Sequence, residues 1–249
     1  MAQPPIPGIV AYVLAGGRSS RMGRDKAMLT LGGRTLLARA VQTLRSVASE
    51  VVLLGGRAAS EGADRAIADL HPGCGPLGGM ETALRDLASR PGEEWACFLP
   101  VDMPFLPAGL YAAMLRYWLA AAASGARIGY VRVDGVAQPL VSLIHRSALP
   151  YLENALENGR LKVAPALEEA AKGLATRPAP GLQSGRVEAR TIAFTLGQTN
   201  CPIEQCVDAD LDWSPSPEEL AVRQLWFANL NTPQEFDQGE SLLRALESK

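Results

Sequence analysis

Two rhythms of apolar and polar positions alternate along the chain. Ile9-Val10-Ala11-Tyr12-Val13-Leu14 is a short unbroken apolar run stopped by Gly16-Gly17, the pattern of a strand buried on both faces. From Thr35 the spacing becomes helical, with Leu36, Leu37, Ala40, Val41, Leu44 and Val47. Val51-Val52-Leu53-Leu54 then restores the strand pattern before a second glycine pair, Gly55-Gly56. Leu77, Met80, Ala83, Leu84 and Leu87 mark another helix, and Trp95 to Leu99 a third strand ending at Pro100. Strand, helix, strand, helix, strand predicts a parallel sheet with helices on both faces. A helix over 108–123 follows, with Pro107 near its start and Gly125 after its end. Strands over 127–133 and 138–144, joined through the tight-turn dipeptide Asp134-Gly135, make the sheet mixed.

Beyond Gly173 the periodicity weakens. "TRPAPGLQSG" is rich in turn formers, and "DADLDWSPSPEE" combines acids with two prolines, so about 173–217 reads as a loop-rich insertion holding one strand, 190–196. A helix near 217–224, the segment "FANLNTP" and a last amphipathic helix carrying Phe236, Leu242, Leu243 and Leu246 complete the chain. The expectation is a single α/β domain over 1–249.

Composition narrows the function. With 47% apolar and 20% charged residues in 249, one sizeable core can form. A net charge of −2 supplies no cationic field for nucleic acid, so any phosphate site is local. No apolar run reaches the roughly 20 residues of a membrane span, and Met1-Ala2-Gln3-Pro4-Pro5 lacks signal-peptide character; the expectation is a cytoplasmic protein without a membrane partner. Cys74, Cys97, Cys201 and Cys206 read as reduced thiols, the Cys201/Cys206 spacing being wider than usual for zinc.

The chemistry concentrates behind the first strand. "LAGGRSSRMGRDK", Leu14 to Lys26, packs three glycines and four cations into a loop leaving the carboxyl end of a parallel strand, the usual ligand position in open α/β sheets. Glycines let backbone N–H groups approach phosphate oxygens, while Arg18, Arg21, Arg24 and Lys26 supply charge. The loop matches neither the Walker pattern nor the dinucleotide fingerprint. Glycines and cations alone would favour a basic surface loop.

As a whole, LAGGxSxRMGxDK resembles the signature loop of MobA-type molybdenum cofactor guanylyltransferases; related cytidylyltransferases carry LAAG, so Gly16 points to guanylyl transfer. Three later segments resemble the same family in order and spacing: "DLHPGCGPLGGM" from Asp69, "FLPVDMPFLP" around Asp102, and "FANLNTPQEF" with Asn229 and Asn231. Asp102, held among prolines past the third strand, suits Mg²⁺, which takes one or two protein carboxylates plus substrate phosphates. Asn229 and Asn231 alternate with Leu230, so both amides can face a common ligand; alternatively Asn231 caps the following helix.

The resemblance implies a three-layer, Rossmann-like nucleotidyltransferase fold around a mostly parallel, mixed sheet. It also implies transfer of GMP from GTP to the phosphate of molybdopterin, with pyrophosphate released and Mg²⁺ as cofactor. The residues it points to are Arg21, Lys26 and Asp102 for catalysis, with Asp102 holding the metal. Leu14, Ala15, Gly16, Gly17, Lys26, Asp69, Gly75, Pro76 and Asp102 bind nucleotide, and Asn229 and Asn231 the pterin substrate. Two departures from the family stand out: Gly55-Gly56 where some members place an asparagine, and Gln138-Pro139 where His-Pro is common. The rival readings are a cytidylyltransferase, a transferase building another nucleotide conjugate, or a non-catalytic protein delivering cofactor to cofactor-synthesis or molybdoenzyme partners. In the last, the insertion with Trp213 would be the docking surface.

Overall fold

The computed structural model describes residues 4–16, 25–55, 60–123, 125–175, 191–196 and 213–247. In chain order the elements are β1 (Ile9–Leu14), β2 (Thr30–Leu31), β3 (Arg34–Thr35), α1 (Leu36–Arg45), β4 (Val51–Leu54), β5 (Arg65–Ile67), α2 (Gly75–Ala88), β6 (Trp95–Pro100) and α3 (Ala108–Ala122). Then come β7 (Ile128–Val133), β8 (Val136–His145), α4 (Leu149–Glu157), α5 (Val163–Ala175), β9 (Thr191–Leu196), α6 (Pro217–Ala221) and α7 (Pro233–Glu247).

Seven strands form one sheet in the order β5-β4-β1-β6-β8-β7-β9, and β2-β3 is a separate small hairpin. Only β8 runs antiparallel to its neighbours in the large sheet, so the fold is mostly parallel and mixed. All six residues of β1 are buried, as a strand covered on both faces requires. Ile9, Ala11 and Val13 pack in a cluster with Leu37, Val41 and Leu44 of α1 and Tyr111 and Leu115 of α3. Val10, Tyr12 and Leu14 face Leu77 and Leu84 of α2, Leu152 of α4 and Leu167 of α5. The period-two alternation of one strand thus builds both outer layers. Each fully buried Leu or Val contributes roughly 1.5–3 kcal/mol.

The Asp134-Gly135 turn forms as predicted: φ is +48° and +79°, the left-handed pair that a two-residue hairpin demands. The strand expected inside the insertion is β9, which pairs with β7 in parallel along its whole length. Helices α4 and α5 have no counterpart in the sequence reading. Their signal was present, since Val163, Ala166, Leu167, Ala170 and Ala171 recur at helical spacing and are all buried. Strands β2, β3 and β5, two or three residues long, are too short for a periodicity to register. No helix among the described residues is long and apolar enough to cross a membrane. Cys74 and Cys97 are free thiols; Cys201 and Cys206 lie outside the described residues.

Candidate nucleotide-transfer site

The carboxyl ends of β1, β4, β5 and β6 meet along one edge, with Leu14 in register with both Leu54 and Pro100. Ala15 and Gly16 leave β1 there, and Gly55 leaves β4 beside them. Gly55 has φ +108°, and a Cβ on it would come within 3.1 Å of Gly16 N and Cα. A side chain at Gly55 would be strained by both the backbone angle and the close approach of Gly16, while Gly56, the other half of the departure noted above, lies outside the described residues.

Asp69 follows β5 and lies over the same floor. A Cβ at Gly16 would sit 3.5 Å from its Oδ2, and one at Gly79 of α2 would sit 3.7 Å from its Oδ1. Burial raises the Asp69 carboxyl above the ordinary aspartate range. Beyond it, Gly75 opens α2 with φ +64° and Pro76 occupies the first turn. Cys74, the N-cap, makes no side-chain capping bond, so the first turn of the helix has no side-chain cap at this edge.

Lys26 begins a short 3-10 turn after β1, where Asp25 Oδ1 accepts from Ala27 N at 3.2 Å. Its Nζ donates to Asp102 Oδ2 at 3.0 Å and to Asn231 Oδ1 at 2.7 Å. Three segments singled out in the sequence thus meet at one ammonium. Asp102 sits two residues past β6, and its backbone carbonyl accepts from Leu230 N at 2.9 Å, which seats the late "ANLNT" segment against it. Leu230 is buried, while Asn231 on its other side is exposed. Asp102 Oδ1 is buried and has no hydrogen-bond partner among the described residues. An unsatisfied hard oxygen at this sheet edge fits Mg²⁺, although among the described residues no group of three metal-type side chains forms.

The capping alternative for Asn231 is settled by its neighbour. Thr232 Oγ1 accepts from Glu235 N at 3.2 Å and Glu235 Oε2 accepts from Thr232 N at 2.8 Å, a reciprocal capping box for α7. The Asn231 side chain is turned to Lys26 instead. Asn229, two residues before Asn231, is half-buried. Gly17 and Arg21, with Arg18 and Arg24, lie outside the described residues.

Trp213 does not present a free docking face. Its ring lies over Gly109 of α3, where a Cβ would fall within 2.3 Å of Nε1, and it meets Trp226 edge-on at 5.6 Å. Sequence reasoning passed over Glu235, although Thr232-Pro233-Gln234-Glu235 spells out the capping box. It also missed Glu81 of α2, wholly buried and accepting from Arg85 Nε at 2.9 Å.

The family model for the MobA-like NTP transferase domain matches residues 11–171. Among relatives, a probable molybdenum cofactor guanylyltransferase of Opitutus terrae is 38% identical over 154 residues, covering 61% of this chain and 73% of that protein. A molybdenum cofactor guanylyltransferase of Pseudomonas putida is 33% identical over 175 residues, covering 68% and 87%. Among solved structures, molybdopterin-guanine dinucleotide biosynthesis protein A of Archaeoglobus fulgidus superposes with a TM-score of 0.61 at 19% identity, over 95% of this chain and 99% of the other. At that identity the likeness concerns the fold.

Proposed function

The chain belongs to the MobA-like NTP transferase domain family, and on that premise we propose that it transfers GMP from GTP to the terminal phosphate of molybdopterin, forming the guanine dinucleotide of the cofactor. An oxygen of the acceptor phosphate attacks the α-phosphorus of GTP, the bond from that phosphorus to the β-phosphate oxygen breaks, and pyrophosphate leaves. The nucleophile is already an anion, so the protein's task is positioning and charge neutralisation. The convergence of Lys26, Asp102 and Asn231 carries this reading, since it sets a cation, a carboxylate with a spare oxygen and a neutral amide at one sheet edge.

Leu14, Ala15, Gly16 and Gly17 form the backbone cradle, and Arg21 and Lys26 neutralise the phosphates. Asp69 reads ribose or base, with the α2 N-terminus at Gly75 and Pro76 beside it. Asn229 and Asn231 take the pterin substrate. Asp102 would hold Mg²⁺, which supplies charge neutralisation on the phosphates when bound. A cytoplasmic location is in keeping with the free thiols Cys74 and Cys97 and with GTP as donor. Transient contact with cofactor-synthesis or molybdoenzyme partners would pass the product on.

Incubation with molybdopterin, Mg²⁺ and, in turn, GTP, CTP and ATP, with pyrophosphate release monitored, tests reaction class and base choice together. Release with GTP is expected. Release with CTP alone would overturn the guanylyl assignment.

A further inference from the structure

Glu235 makes one hydrogen bond more than a helix cap needs. Its Oε2 accepts from Thr232 N at 2.8 Å, which completes the capping box, and also from Asn231 N at 2.6 Å. The Asn231 side chain in turn accepts from Lys26 Nζ at 2.7 Å. One carboxylate oxygen therefore fixes the backbone of the residue whose amide meets the lysine. The helix behind it is clamped to the Lys26 arm as well. Gly32 N, in the β2-β3 hairpin that follows Lys26, donates to Glu240 Oε1 at 2.8 Å. One residue earlier, Gly239 is buried against Phe105 and Leu31, which a Cβ there would approach to 3.1 and 3.4 Å. So α7 is held at Glu240 to the segment carrying Lys26, and holds Asn231 through Glu235.

We infer that Glu235 is a positioning residue for the acceptor half of the reaction: through its bond to Asn231 N it sets where the Asn231 amide stands when the pterin phosphate arrives. The inference rests on the acceptor reading given to Asn231 above. Losing that bond frees the backbone at Asn231, while Lys26 keeps its 3.0 Å bond to Asp102 Oδ2 and the β1, β4 and β5 edge is unchanged, so the effect falls chiefly on the acceptor. Misplacement of a substrate-binding group by an ångström can cost up to ~100-fold.

Three variants separate positioning from capping. Glu235→Ala removes both N–H acceptors. Thr232→Val removes the Oγ1 cap of Glu235 N and leaves the Asn231 bond in place. Glu235→Gln keeps a side-chain oxygen for both donors. With molybdopterin released anaerobically from a molybdenum enzyme, Glu235→Ala is expected to raise the acceptor KM ~10-fold with the GTP KM within about twofold. Thr232→Val should lower Tm as much as Glu235→Ala yet leave the acceptor KM near wild type, and Glu235→Gln should restore it. Equal KM effects in Thr232→Val and Glu235→Ala, or no rescue by Glu235→Gln, overturn the positioning role while wild-type transfer stands. Absence of pyrophosphate release from the wild-type protein removes the underlying reading instead.

Discussion

Replacing Lys26 with methionine removes the ammonium and keeps most of the side-chain volume. Asp102 Oδ2 loses its 3.0 Å partner and Asn231 Oδ1 its 2.7 Å donor. A hydrogen bond to a charged group contributes roughly 1.5–3 kcal/mol net. The Lys26 and Asp102 side chains are 18% and 23% exposed, so screening trims that figure without abolishing it. We expect a loss of about 1–2 kcal/mol, or a fall in Tm of roughly 2–8 °C for a domain of this size. Catalysis should suffer more. Removing one group aimed at transition-state charge costs about 2.7–4 kcal/mol, or ~100-fold or more in turnover. At 25 °C the smaller stability loss leaves the protein folded, so the two effects separate. Pyrophosphate release at saturating GTP and molybdopterin measures one, thermal unfolding the other. The double variant Lys26→Met/Asp102→Asn should regain part of the stability, because no carboxylate is left without its partner, and none of the turnover. Turnover of Lys26→Met within about threefold of wild type would refute the electrostatic role. A double variant no more stable than the single one would refute the ion pair as the source of the stability loss.

Gly16→Ala should fold normally, because its Cβ would meet Asp69 Oδ2 and Gly55 Cα only at ordinary contact distances of 3.5 and 3.7 Å. Its effect is expected in GTP-against-CTP competition, with Tm within about 2 °C of wild type. Gly55→Ala should lose about 1–3 kcal/mol, since φ +108° is strained for alanine and the Gly16 backbone stands 3.1 Å away; an unchanged unfolding midpoint would contradict this. Hydrogen bonds from Arg90, then from Arg65, hold the Glu50 carboxyl at about 2 against its ordinary 4.5, with burial opposing them. The folded value lies below the unfolded one, so this stability is complete above pH 4.5 and disappears as pH falls toward about 2. Denaturant midpoints for wild type and Glu50→Gln should therefore converge over that window. Asp102→Ala is expected to lose ~100-fold or more in turnover, and full activity in the purified variant would remove the metal assignment.

Where burial imposes a period, the chain could be read directly. The all-apolar β1 and β4, the apolar stripe of α1 and the Asp134-Gly135 turn each have one favourable conformation, and each formed within a residue or two of the predicted bounds. Elements held by partners distant in sequence were harder. β5 is three residues long and exists through pairing with β4. The strain that a side chain at Gly55 would meet depends on Gly16, 39 positions away, and no local pattern states it. In the site, motif order named Lys26, Asp102 and Asn231, but nothing local says that they touch. Lys26 and Asn231 are 205 residues apart, and their contact depends on Leu230 N reaching Asp102 O and on α7 gripping the β2-β3 hairpin through Glu240. The residue that ties these together, Glu235, carries a sequence signal that reads only as a helix cap. Its second bond, to Asn231 N, is a geometry that the capping pattern alone does not specify. Local patterns thus supply the parts of this site, and the terminal helix sets the distances between them.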